Sequence, residues 1–164
     1  MGGLLKIHSM AAGDTIFGHS WIEYCPIDGE PRTYGTWGNN PTGAGNGLMD
    51  NLELDCWSPH SRAACISSQQ TAELFSIIAA YRDAGSEAWT LTAPCSAFAA
   101  TAWEAATGEK LEHRTALVST PGTLARSIDQ ANLADVIESA RRPQKTEILP
   151  AKSKIIRSRK QPKP

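Results

Sequence analysis

Hydrophobic and polar positions follow one period early in this chain and another later. Leu4 to His8 predicts a short apolar strand, and Gly13-Asp14 a turn. Gly18 to Cys25 is rich in β-formers and is closed by the turn residues Pro26-Ile27-Asp28-Gly29, with Arg32 to Trp37 as the return strand of a hairpin. Alternation along the first of these strands puts His19, Trp21 and Glu23 on one face and Ser20, Ile22 and Tyr24 on the other. Residues 38–47 are crowded with Gly and Asn and predict a loop, and Leu48 to Trp57 has room for another short strand.

The second half turns helical. Ser67 or Ser68 can cap a helix running to about Ala84 and stopped by Gly85, with Leu74, Ile77, Ile78 and Tyr81 on one face. Trp89 to Leu91 is briefly extended. Pro94 is placed for a helix start, and the next helix runs from about Cys95 to Thr107 before Gly108. Its stripe of Cys95, Phe98, Ala99, Ala102 and Ala106 is small enough for close packing on a sheet. Thr120-Pro121 opens a last helical region, whose final apolar face is Leu133, Val136, Ile137 and Ala140 before Pro143. This pattern predicts an α+β domain, a small antiparallel sheet packed on helices.

The length of 164 residues suits one domain with a sizeable core. With 41% hydrophobic and 20% charged residues, a mainly disordered chain is excluded. No apolar run is long enough to span a bilayer. Met1 to Lys6 lacks the basic region and apolar core of a secretory signal, so synthesis in the cytoplasm is expected. Residues 1–150 carry 17 acids against 10 Lys and Arg, whereas residues 151–164 carry six basic residues and no acid. An acidic body argues against specific nucleic-acid binding. We expect one folded domain over 1–145 and a basic, solvated and disordered tail over 146–164 that can touch anionic surfaces. The four cysteines lack CxxC or zinc-finger spacing, so no metal or other cofactor is expected. Cys25, Cys56 and Cys65 read as small, partly buried side chains, with Cys56–Cys65 as the one pairing open in an oxidising compartment.

Cys95 is the first residue to carry chemistry. In the opening turn of a helix, free backbone N–H groups and the positive dipole end favour a thiolate; the alternative is a small buried residue. His19, at the start of a strand directly after Gly18, is placed to take the thiol proton. His8, His60 and His113 compete with it, His60 in a loop after Pro59 and His113 in a polar stretch. A third polar group to orient the imidazole is sought on the return strand, at Thr36 or Tyr34. Glu23 shares the His19 face but lies about 13 Å along the strand, beyond a hydrogen bond. The Gly/Asn loop, with Trp21 and Trp37 exposed beside it, would suit a ligand groove.

Gly18-His19-Ser20-Trp21-Ile22-Glu23-Tyr24, then Tyr34-Gly35-Thr36-Trp37, then Pro94-Cys95-Ser96-Ala97-Phe98-Ala99 and Trp103 to Gly108, resembles the circularly permuted branch of the NlpC-type papain-like cysteine hydrolases, over about residues 4–140. In that branch the His strand precedes the Cys helix, as here. The resemblance implies Cys95 as nucleophile and His19 as base, attacking an amide or ester carbonyl through an acyl-enzyme. The family pattern often has a polar residue such as Asn before the Cys, where this chain has Pro94. Relatives include peptidoglycan amidases and endopeptidases, lipid acyltransferases and antagonistic toxins. For this chain the resemblance implies an antibacterial effector, delivered to a target-cell periplasm by a machine of the type VI secretion kind. Its substrate would be peptidoglycan peptide or another amide, with an immunity protein as partner. Lipid acyl transfer on the same fold and a non-catalytic binding module are the alternatives.

Overall fold

The computed structural model describes residues 2–11, 18–116 and 118–142. The Gly13-Asp14 turn and the basic tail lie outside the described residues. Strands β1 (Gly3–Ala11), β2 (Gly18–Pro26), β3 (Arg32–Trp37), β4 (Gly47–Asp50) and β5 (His60–Ile66) form one antiparallel sheet in the order β4-β3-β2-β1-β5. Helices α2 (Ser68–Asp83), α3 (Cys95–Thr107) and α4 (Pro121–Arg141) pack against it. A short helix α1 (Asn39–Thr42) stands where a loop is expected, and two-residue strands β6 (Arg114–Thr115) and β7 (Val118–Ser119) precede α4.

Period-two alternation divides the sheet into two unlike faces. Leu5, Ile7, Ile22, Tyr24 and Tyr34 point to the helices and meet Leu74, Ile78, Phe98, Trp103, Leu124 and Ile128 in one apolar core. Helix α3 fits deepest because its inward residues are small: Ala99, Ala102 and Ala106 are fully buried. The other face carries Lys6, His8, His19, Trp21, Glu23, Thr33 and Trp37, fixed by the pairings Lys6↔Glu23, His8↔Trp21 and Glu23↔Thr33.

The sheet order leaves β4 and β5 at opposite edges, so the connector over residues 51–59 must cross the whole sheet. It does so on the face away from the helices. Asn51 N–H donates to Thr33 O at 2.9 Å, and Ser58 Oγ donates to Ser9 O at 2.8 Å. Strand β5 then begins at His60, where a loop is expected because Pro59 and the short Ala63-Ala64 run carry little strand signal. Near its start Arg62 makes a paired contact with Glu109, at 2.7 and 2.8 Å, tying β5 to the residues after α3.

Two expectations fail on packing. Among the described residues the second half of α4 stays uncovered: Leu133, Val136 and Ile137 are exposed, whereas Leu124 and Ile128 near its start are buried. The four cysteines are free, and Cys56 and Cys65 are exposed, not partly buried. The start of α2 follows its sequence signature closely. Ser67 caps it, and Gln70 closes a capping box through its side chain on Ser67 N–H at 2.9 Å. Ser67→Ala should therefore cost about 1 kcal/mol, read as a thermal midpoint lower by about 2–4 °C.

Candidate active site

At the end of the sheet where β2 begins and β3 finishes, the residues of the aromatic face converge. Gly18 opens β2 with φ of 137° and passes so close to β1 that an added Cβ would lie 2.2 Å from Met10 O. This approach sets the next side chain, His19, at the strand's start. Its buried ring stacks on Trp21, with centroids 5.6 Å apart, and lies 3.7 Å from the Trp37 ring. Neither indole is an exposed groove wall. Trp21 is 1% exposed and Trp37 is half-buried.

Glu53, on the connector, completes the group. Its side chain is fully buried. Oε1 accepts from His19 Nε2 at 2.8 Å and from Trp37 Nε1 at 2.7 Å, and Oε2 accepts from Thr33 Oγ1 at 2.8 Å. Burial works against the carboxylate charge, but His19 above all, with Trp37 and Thr33, outweighs it, and the Glu53 pKa lies below its ordinary value. An ionised carboxylate only accepts, so His19 Nε2–H is the donor. That leaves Nδ1 for the thiol of Cys95, which lies near enough to the same ring to favour its charged form. Burial disfavours the charged imidazole, yet Cys95 and Glu53 prevail and the His19 pKa is raised.

Cys95 is buried and is the first residue of α3. Pro94 is the N-cap rather than the first helical residue, and it offers no side-chain cap to the opening turn. The neighbouring Ser96 is pinned by a buried chain: its Oγ is 2.7 Å from Ser119 Oγ, which is 2.8 Å from His113 Nδ1. His113 thus braces the helix start, with its pKa lowered first by burial and then by Arg114. His60 is engaged with Asp129 at 2.9 Å. Neither contacts Cys95. The arrangement is a thiol, an imidazole and a carboxylate in series, able to move a proton from sulfur to nitrogen and hold the resulting charge.

The structure brings Cys95 and His19 together, and the carboxylate beside them is Glu53, whereas Tyr34 and Thr36, the residues expected as the third group, lie elsewhere. Tyr34 and Thr36 occupy the helix-facing positions of β3. Tyr34 meets Phe75 edge-on at 6.2 Å in the core, and Thr36 Oγ1 is buried without a hydrogen-bond partner. Alternation dictates this, because Glu23 pairs with Thr33 and so the odd-numbered residues of β3 share the His19 face. Glu23 indeed stays with its own partners, Lys6, His8 and Cys25. Glu53 was hidden because Leu52-Glu53-Leu54 reads as an outward acid between inward leucines. The structure inverts it, leaving the leucines 52% and 50% exposed. A hollow of about 400 Å³ beside Tyr24, Arg32 and Phe75 is at the other end of β2, away from Cys95 and His19.

No family model, curated protein or solved structure matches this chain.

Gly35 is the tightest point of the site. A Cβ there would meet Glu53 Oε1 at 2.3 Å and His19 Nε2 at 2.9 Å. Gly35→Ala should destabilise the fold by about 1–3 kcal/mol and, in the fraction that folds, slow iodoacetamide alkylation of Cys95. The imidazole–carboxylate pair also sets a stability window. His19, with a raised pKa, stabilises fully below its ordinary value of 6.5 and loses this as pH rises through the folded value. Glu53, with a lowered pKa, stabilises above its ordinary value of 4.5 and loses this as pH falls through the folded value. The unfolding free energy lost in Glu53→Gln should therefore be largest between about pH 4.5 and 6.5 and shrink on both sides, as measured by denaturant titration.

Proposed function

We propose that this protein is a cysteine hydrolase, an amidase or peptidase working through an acyl-enzyme on the peptide part of bacterial cell wall. The observation that carries the chemistry is Cys95 at the uncapped start of α3, sharing His19 with the buried carboxylate of Glu53. His19 Nδ1 takes the thiol proton, and the imidazolium is held through Nε2 by Glu53. The sulfur attacks an amide carbonyl. Backbone N–H groups of the first turn of α3 face the developing oxyanion, beginning at Cys95 because Pro94 has none to offer. His19 then returns the proton to the leaving amine, and water hydrolyses the thioester.

Cell-wall peptide as substrate, delivery to a periplasm and an immunity protein as partner rest on the resemblance of the His19 and Cys95 segments to the permuted NlpC-type enzymes. A second reading, acyl transfer on lipid, draws on Leu52, Leu54 and Trp57, which stand exposed on the connector around Glu53. One experiment separates them. Directed to the periplasm of a Gram-negative cell, the protein should cause lysis, and held in the cytoplasm much less. Purified Cys95→Ala should release no peptide fragments from isolated cell wall, and His19→Ala should be slower by about 10²–10⁴-fold. Equal toxicity in both compartments would overturn the cell-wall substrate, and unchanged lysis by Cys95→Ala would overturn catalysis.

A further inference from the structure

The sheet face that carries His19 holds a second histidine in a matching setting. His8 on β1 lies across Trp21 from His19: the indole stacks on the His8 ring at 5.0 Å and on the His19 ring at 5.6 Å. His8 is 9% exposed, and both ring nitrogens have partners. Nε2 is 3.1 Å from Glu23 Oε2, and Nδ1 is 2.8 Å from Ser61 Oγ on the edge strand β5.

The protons on this chain of groups follow from its chemistry. Burial works against charge on Glu23, but donors outweigh it: Lys6 Nζ at 2.8 Å and Cys25 Sγ at 3.2 Å, both on Oε1. Glu23 is an anion and only accepts, so His8 Nε2–H donates to it. Burial also lowers the His8 pKa and favours the neutral ring, in spite of Glu23. Nδ1 of that ring is a lone pair, so the Ser61 hydroxyl is the donor of the 2.8 Å bond. Its other acceptor, Ser58 O, is farther at 3.4 Å. Hydroxyl, imidazole and carboxylate stand in the order of Cys95, His19 and Glu53, with Nε2 on the carboxylate in both cases.

We propose that Ser61 is a second nucleophile, accepting an acyl or phosphonyl group from a compact, activated electrophile with His8 as its base. Ser61 is half-buried on an edge strand, and Ala63, two residues along on the same face, is small and exposed, which leaves the approach open. With a fluorophosphonate, Ser61 Oγ forms a bond to phosphorus as the P–F bond breaks. The hydroxyl proton passes to His8 Nδ1, and fluoride leaves with the bonding pair. Glu23 holds the imidazolium until it releases the proton to water. Nothing in this step uses Cys95.

The test treats the full chain carrying Cys95→Ala with an alkyl fluorophosphonate and maps adducts by peptide mass spectrometry. The expected result is an adduct at Ser61 that disappears in Ser61→Ala and forms about 10²-fold more slowly or worse in His8→Gln. Glu23→Gln, checked for native circular dichroism, should also slow it and carries the comparison if His8→Gln does not fold. No adduct at Ser61 in the folded protein, or formation at an unchanged rate in these variants, would overturn the proposal and leave Ser61 as a hydrogen-bond partner of His8. Either outcome leaves the reading of Cys95 untouched.

Discussion

The burial of one ionised carboxylate governs the rest of this structure. Taking a carboxylate out of water is costly unless donors replace the solvent around it. Glu53 receives three, from His19, Trp37 and Thr33, and each comes from a different position on the two central strands of the hairpin. These bonds require the connector to lie flat across the sheet, and they require Gly35 beneath it, where any side chain would collide with the carboxylate oxygen. The imidazole that results has one nitrogen committed and one free, and the free one meets the helix start. The geometry at Cys95 is thus downstream of a decision made on the far side of the sheet.

The two sheet faces divide the physical work. The helix side is apolar and close-packed, and its alanines let α3 approach until Cys95 reaches the sheet's end. The opposite side is a layer of alternating rings and charges: His8, Trp21, His19 and Trp37 in contact, with Glu23 and Glu53 as counter-charges. Polar groups survive there because nearly every one has a partner, whereas the unpaired Thr36 hydroxyl lies toward the helices.

Local signals carried much of this. The hairpin was legible because β-formers flank a Pro-Ile-Asp-Gly turn, and α2 because Ser67 and Gln70 write a capping box. Helix α3 runs from Cys95 to Thr107 as its Pro and Gly punctuation predicts. What failed depended on tertiary neighbours. The apolar stripe at Leu133, Val136 and Ile137 is a sound helical face, but none of the described elements covers it. Strand β5 escaped notice because its identity comes from pairing with β1, not from its Ala-rich sequence. The Cys–His pair could be read because each residue has a distinctive local setting, a helix start and a glycine-led strand start. Its carboxylate could not, because an acid between two leucines looks like surface, and only the path from β4 to β5 brings it inside.

That edge-to-edge path has a consequence for the order in which the molecule matures. Glu53 meets His19 only when the connector is anchored at both ends, by β4 beside β3 and by β5 beside β1. The second of these joins segments distant in sequence, and its loop-closure entropy makes it late to form. Cys95 docks later still in chain order, with the helix layer. A nascent or half-folded chain therefore holds a histidine without its orienting anion and a thiol without its acceptor, and remains chemically quiet until the sheet is complete.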